Sequence, residues 1–145
     1  MEKFDALKLD NQLCFPLYAA SREVIKQYRP FLDPLDLTYT QYVAMLVFWE
    51  EKSMTVKDLG KKLFLDSGTL TPVLKSLESK GYVTRPRSTE DERVLIVSIT
   101  PAGEALRERA VGIPEQISGH IHLTPEEGRQ LYSLLYKILG IPGKG

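Results

Sequence analysis

Leu13, Leu17, Ala20, Val24 and Tyr28 recur every three or four positions, which predicts a helix over residues 10–31. Asp10 offers a capping oxygen. Pro16 is awkward in a helix interior, so regular structure is expected from about Phe15, with Cys14 at the N-terminal end. Pro30 and Pro34 are expected to close the element. Thr38 and Gln41 have capping-box spacing and precede a strongly apolar helix to about Glu51. A short helix over residues 55–64 follows. The stretch Asp66-Ser67-Gly68 then offers capping oxygens for a helix to about Lys80, with Gly81 as its left-handed C-cap. Residues 82–87 and 94–99 are rich in β-branched side chains and predict a hairpin with a polar tip, where Pro86 suits an edge strand. Thr100 and Pro101 open another helix, disturbed near Gly112 and Pro114. Thr124, Pro125 and Glu127 repeat the capping signal, and Leu131, Leu134, Leu135, Ile138 and Leu139 form one apolar stripe ended by Gly140. The pattern is mainly α with one small β-hairpin, an α+β chain without repeats.

Two short helices followed by a hairpin have the outline of a winged helix-turn-helix, in which the second helix enters the major groove with its N-terminal part. Residues 56–63 would support the helix that begins near Ser67. On that reader, Ser67, Thr69 and Thr71 carry small hydroxyls suited to phosphate or base edges, while Leu70, Val73, Leu74 and Leu77 would face the core.

The charge distribution strengthens this reading. The chain of 145 residues has 19 Lys+Arg and 19 Asp+Glu, so its net charge is zero, which by itself argues against phosphate binding. The zero is a sum. Residues 1–56 carry six basic against eight acidic groups, residues 57–87 seven against three, and residues 88–145 six against eight. The basic middle, with Lys75, Arg85 and Arg87, coincides with the proposed reader and wing, as expected when one face meets DNA. The competing reading is an ordinary packing unit with a solvated lysine face.

At 43% apolar and 26% charged, the composition excludes a disordered chain, and the length suits one domain. The N-terminal residues lack the apolar core of a signal peptide, and no apolar run approaches membrane-spanning length, so a cytoplasmic protein with no membrane partner is expected. His120 and His122, the two histidines, have no cysteine or carboxylate cluster nearby; a solvated loop rather than a metal site is expected, and no cofactor.

A single cysteine excludes an internal disulfide and points to a reducing compartment. Cys14 has two readings. A lone cysteine among apolar residues is commonly a buried, inert thiol. A reactive thiol needs its thiolate stabilised, and a helix N-terminus supplies partial positive charge. Tyr18 lies one turn on. Tyr28 lies 14 residues on, about 21 Å along the helix, so it could reach Cys14 only from the partner in a dimer of antiparallel first helices.

Residues 55–63, 66–71 and 77–83, then Asp91, Glu92, Arg93, Leu95 and residues 98–103, together resemble the MarR family of bacterial transcriptional regulators over nearly the whole chain. The resemblance implies one MarR-like domain over 1–145, with dimerisation helices in 1–37 and 101–145 and a winged helix-turn-helix in 38–100. It implies a homodimer on a palindromic double-stranded operator, with Arg93 reaching the minor groove from the wing and Asp91 orienting an arginine there. The apolar stripes at both ends fit a dimer, or alternatively close an intramolecular core.

Residues 9–22 are further similar to the peroxide-sensing OhrR-type branch, whose motif SarZ/MgrA-like regulators share. Cys14, Tyr18 and Tyr28 match the sensor cysteine and the two tyrosines that hydrogen-bond to it, one from each subunit. That implies a repressor released from DNA when an organic hydroperoxide oxidises Cys14. Without a second cysteine, the sulfenic acid would react with a small external thiol, cyclise on the Phe15 nitrogen, or overoxidise. The alternatives are a regulator sensing a phenolic ligand beside an inert Cys14, and a thiol peroxidase, which would need a resolving partner and acid–base groups.

Overall fold

A computed structural model describes residues 2–86, 90 and 94–141. It forms two compact units, Met1–Ile113 and Pro114–Gly145. The wing-tip residues Arg87, Asp91 and Arg93 lie outside the described residues.

The first unit begins with two 3-10 turns, Asp5–Leu7 and Leu9–Asn11, and then α1, Cys14–Leu32. Two boundaries differ from expectation. Asp10 does not cap α1; it lies in the second 3-10 turn, and the cap position is Leu13, without a side-chain bond. Helical geometry starts at Cys14 itself. Pro16 is tolerated two residues later, because the N–H it lacks would have no partner in the first turn. At the other end α1 runs through Pro30. Leu32 is buried and Phe31 packs on the core, so tertiary burial overrides the local penalty. A 3-10 turn, Asp33–Leu35, leads through Asp36, in the left-handed region at φ 55°, to α2, Tyr39–Glu51.

The expected capping box opens α2: the Gln41 N–H donates to Thr38 Oγ1 at 3.2 Å, and the Thr38 N–H donates to Gln41 Oε1 at 3.0 Å. Tyr42, Ala44, Met45, Val47, Phe48 and Trp49 are buried, so α2 is the pillar of the unit. It is followed by β1, Ser53–Thr55; α3, Val56–Leu63; α4, Ser67–Ser79; β2, Val83–Thr84; β3, Ile96–Ile99; and α5, Pro101–Ala110. Leu59 of α3, Leu70, Leu74 and Leu77 of α4 and Leu106 of α5 join the core beneath α2.

The hairpin is part of a three-stranded antiparallel sheet in the order β1-β3-β2. Met54 pairs with the fully buried Val97, and Val83 with Ile99. β1 escapes the sequence pattern because its three residues offer one large apolar side chain, too short for alternation to register. The regular strands are shorter than expected. Pro86 still accepts from the Ile96 N–H at 3.0 Å on the sheet edge, where its own missing N–H costs no ladder bond.

α5 starts at the expected Thr100 cap and is tied to the pillar by Trp49, whose Nε1–H donates to the Gly103 carbonyl at 2.9 Å. The approach leaves no room for a side chain: a Cβ on Gly103 would lie 2.3 Å from the Tyr82 carbonyl oxygen. α6, Ile113–Ser118, begins at the last residue of the first unit, and the second unit holds α7, Pro125–Ile138, which opens with the expected Thr124/Glu127 capping box. No residue of α7 is buried.

Gly103→Ala should therefore cost about 1–3 kcal/mol through forced backbone movement. A lowered urea midpoint at constant slope is the expected result; an unchanged midpoint contradicts the close approach.

Candidate DNA-reading face and thiol site

The turn between α3 and α4 is built by backbone requirements. Phe64 ends α3 in the left-handed region at φ 57°, and the Leu65 N–H donates to the Gly60 carbonyl at 2.9 Å. A Cβ at Gly60 would lie 2.6 Å from the Leu65 carbonyl oxygen, so the turn needs glycine there. Asp66 caps α4, accepting the Thr69 N–H at 2.7 Å. The Thr69 hydroxyl and N–H hold the Asp66 carboxyl below the usual range.

The reader residues divide by what they touch. Ser67 is the first residue of α4, and it, Thr69 and Lys75 are exposed. Thr71 is half-buried and its hydroxyl donates back to the Ser67 carbonyl at 2.7 Å. Arg85 has an intramolecular partner: its Nε and Nη2 donate to Glu78 Oε1 at 3.2 and 3.1 Å, bracing the start of the wing against α4. Charge counting placed Arg85 on the DNA side and could not see this pairing. A cavity of about 770 Å³ lies between α3, the start of α4 and the residues leading into β3, with Lys57, Lys61, Phe64 and Leu95 among its lining residues. Periodicity gave no sign of it.

Cys14 is the first residue of α1, and the fold of a single chain leaves it exposed rather than buried. The unpaired N–H groups of the first helical turn lie at this end of α1. Tyr18, also exposed, accepts from Arg22 Nη1 at 3.4 Å, and the guanidinium carbon of Arg22 stands 5.3 Å from its ring centre. Tyr28 is half-buried at the far end of α1. Its ring lies edge-on to Tyr39 at 4.8 Å and tilted to Tyr42 at 5.8 Å. One chain thus does not bring Cys14 and Tyr28 together. Burial, then the neighbouring Tyr42, raises the ionisation of Tyr28 above the usual tyrosine value, opposed by a hydrogen bond with Tyr39. Burial, then Tyr39, raises that of Tyr42.

His120 follows α6, with Nδ1 2.9 Å from the Gln116 carbonyl oxygen. Among the described residues no three His, Cys, Asp or Glu gather as a metal site, and no helix is long and apolar enough to cross a membrane.

A support helix, a capped reader helix and a three-stranded wing define a winged-helix DNA-binding regulator. Residues 26–109 match the family described as "Transcriptional regulator SarA/Rot". The chain is 54% identical over 137 residues to the organic hydroperoxide resistance transcriptional regulator of Bacillus subtilis, covering 94% of this chain and 93% of that protein. It is 43% identical to the HTH-type transcriptional regulator SarZ of Staphylococcus saprophyticus, covering 88% and 87%. Reduced AbfR bound to DNA superposes with a TM-score of 0.78 at 36% identity, covering 96% and 97%; AbfR is from Staphylococcus epidermidis. A cysteine-to-serine mutant of MarR from E. coli, complexed with operator DNA, gives 0.77 at 26% identity, covering 96% and 99%. The chain belongs to the MarR family of transcriptional regulators, in its peroxide-sensing OhrR-type branch. These relatives favour the redox reading over the phenolic-ligand and peroxidase alternatives.

The tyrosine pair sets an alkaline limit on stability. A phenol whose folded-state ionisation is raised contributes stability that is complete below the usual value of about 10 and is lost as pH rises beyond it. Tyr28→Phe should flatten that alkaline decline in a urea-midpoint series; an unaltered decline contradicts the assignment.

Proposed function

We propose that the chain works as a cytoplasmic homodimeric repressor, which binds a palindromic double-stranded DNA operator and leaves it when an organic hydroperoxide oxidises Cys14. The observation that carries this reading is the exposed thiol at the first turn of α1, in a chain with no second cysteine and with an organic hydroperoxide resistance regulator among its relatives.

In the dimer, one copy covers apolar side chains that the other exposes. In the first unit Leu13, at the cap of α1, and Phe15 and Leu17 on α1 are exposed, and in the second unit Leu131, Leu134 and Ile138 on α7 are exposed; each apolar face favours a second copy. Residues 1–37 and 101–145 supply the dimer helices of a single domain, and 38–100 the DNA-reading part. With first helices antiparallel, the partner's Tyr28 would meet Cys14 beside Tyr18, and the two phenols would hydrogen-bond to the sulfur. Ser67, Thr69 and Thr71 of each reader helix face one half-site, with successive half-sites about 34 Å apart. Lys75 and Arg87 add phosphate contacts, and Arg85 shapes the wing through Glu78. Arg93 would be the residue reaching the minor groove, and Asp91 would orient an arginine within the wing; both lie outside the described residues.

The redox step balances without a cofactor. The thiolate attacks the outer peroxide oxygen and the O–O bond breaks. The sulfur becomes sulfenic acid, the leaving alkoxide takes back from solvent the proton the thiol had given up and departs as the alcohol, and a small thiol then gives a mixed disulfide and water. The added atoms remove the tyrosine hydrogen bonds and enlarge a packed interface, which shifts the spacing of the reader helices.

Cys14→Ser should bind, within about twofold of the parent affinity, a fluorescein-labelled duplex selected from a random-sequence pool by the reduced protein. Cumene hydroperoxide should release the parent and leave the variant bound in a gel shift. Normal release of Cys14→Ser would overturn the sensor assignment.

A further inference from the structure

Two contacts of different kinds meet at the first turn of α2. On one side, Tyr28 of α1 leans on Tyr39 and Tyr42. On the other, the side chain of Gln41 reaches α4. Gln41 is buried, with 6% of its surface exposed. Its Nε2 donates to Ser76 Oγ at 2.9 Å, and its Oε1 accepts from both the Thr38 N–H and Lys80 Nζ at 3.0 Å. Lys80 also donates to the Asp36 carbonyl, and its Nζ stands 3.6 Å from the Asp36 carboxylate. Ser76 lies in the last turn of α4 and Lys80 is its C-cap; Asp36 and Thr38 belong to the elbow between α1 and α2.

The buried side chains of α4 are apolar, Leu70, Leu74 and Leu77, and its Glu78 is tied to the wing by Arg85 rather than to the elbow. Apolar packing is non-directional, whereas hydrogen bonds fix angles, and a buried amide left without partners is costly. Gln41, Ser76 and Lys80 are therefore the groups that set the direction of the reader helix relative to the elbow. The lever is long. Thirteen residues span about 20 Å, so a tilt of about 5° at a pinned C-terminal end moves Ser67 by roughly 2 Å. Shifts of that size separate states in other switching proteins.

We propose that Gln41, Ser76 and Lys80 are positioning residues that carry displacement of α1, felt at Tyr28 and Tyr39, to the reader helix α4. This rests on the reading that oxidation of Cys14 releases DNA, and the proposal adds the route. None of the three touches the thiol, and all three lie away from the DNA-facing start of α4.

The test uses the full chain, the selected duplex and cumene hydroperoxide. Duplex affinity is measured for reduced and oxidised protein, and the ratio of the two constants is the coupling. Ser76→Ala removes the Gln41 link without touching the α2 cap. Lys80→Met removes the elbow link independently. Each should shrink the parent ratio by about fivefold or more, within the usual range of coupling between sites. Cys14 should oxidise at the parent rate, and Ser76→Thr, which keeps the hydroxyl, should restore the ratio. Equal weakening in both redox states, with the ratio intact, would show a merely structural role and overturn the proposal. A parent protein with a ratio of one would instead overturn the functional reading beneath it.

Discussion

The burial of α2 is the constraint on which the first unit depends. A helix that is apolar on most of its sides must be covered on most of them, and α2 leaves the face of Leu46 and Glu50 exposed in the single chain. Here α1, α3, α4 and α5 pack against it, together with β1 and β3. Burying side chains such as Phe48 and Met45, each worth about 1.5–3 kcal/mol by transfer, gives these elements a common seat. Trp49 adds the directional bond to Gly103 that sets the start of α5. The helix bearing the thiol and the helix that reads DNA are therefore neighbours of one rigid body, although Cys14 and Ser67 are far apart in sequence.

That arrangement explains how a small chemical change can have a large consequence. Cores packed to native density do not deform smoothly, so displacement at one face passes on as movement of whole elements. The N-terminal turn of α2 is suited to this because two contacts of different character converge there. Aromatic edges face α1, and a satisfied buried amide faces α4. The same turn also carries the helix cap, so its own geometry is firmly held.

Much of the fold was legible in the sequence wherever the cause is local. Thr38 with Gln41 and Thr124 with Glu127 announce their capping boxes because both partners lie within one turn. Gly81, at φ 83°, sits where a left-handed C-cap was expected. Features decided at a distance were not legible. Pro30 reads as a terminator but is carried by burial of the residues after it. β1 exists only because β3 pairs with it. Arg85 reads as a free cation until Glu78 is placed beside it. The thiol site was legible in part: Pro16, two residues after Cys14, marks a helix start, but the exposure of Cys14 and the partnering of Tyr18 with Arg22 belong to three-dimensional packing. Gln41 shows both limits at once. Its cap is written within one helical turn, and its bond to Ser76 spans 35 positions.

The central claim is that one thiol governs one DNA-binding state. A stoichiometric titration tests it most directly: cumene hydroperoxide is added to the protein–duplex complex in the presence of a small thiol, while fluorescence anisotropy and the intact mass are followed together. Anisotropy should fall in step with modification of Cys14, the fall being complete when the sensor thiols of the dimer are consumed. Full modification with the duplex still bound, or release while Cys14 remains a free thiol, would contradict it.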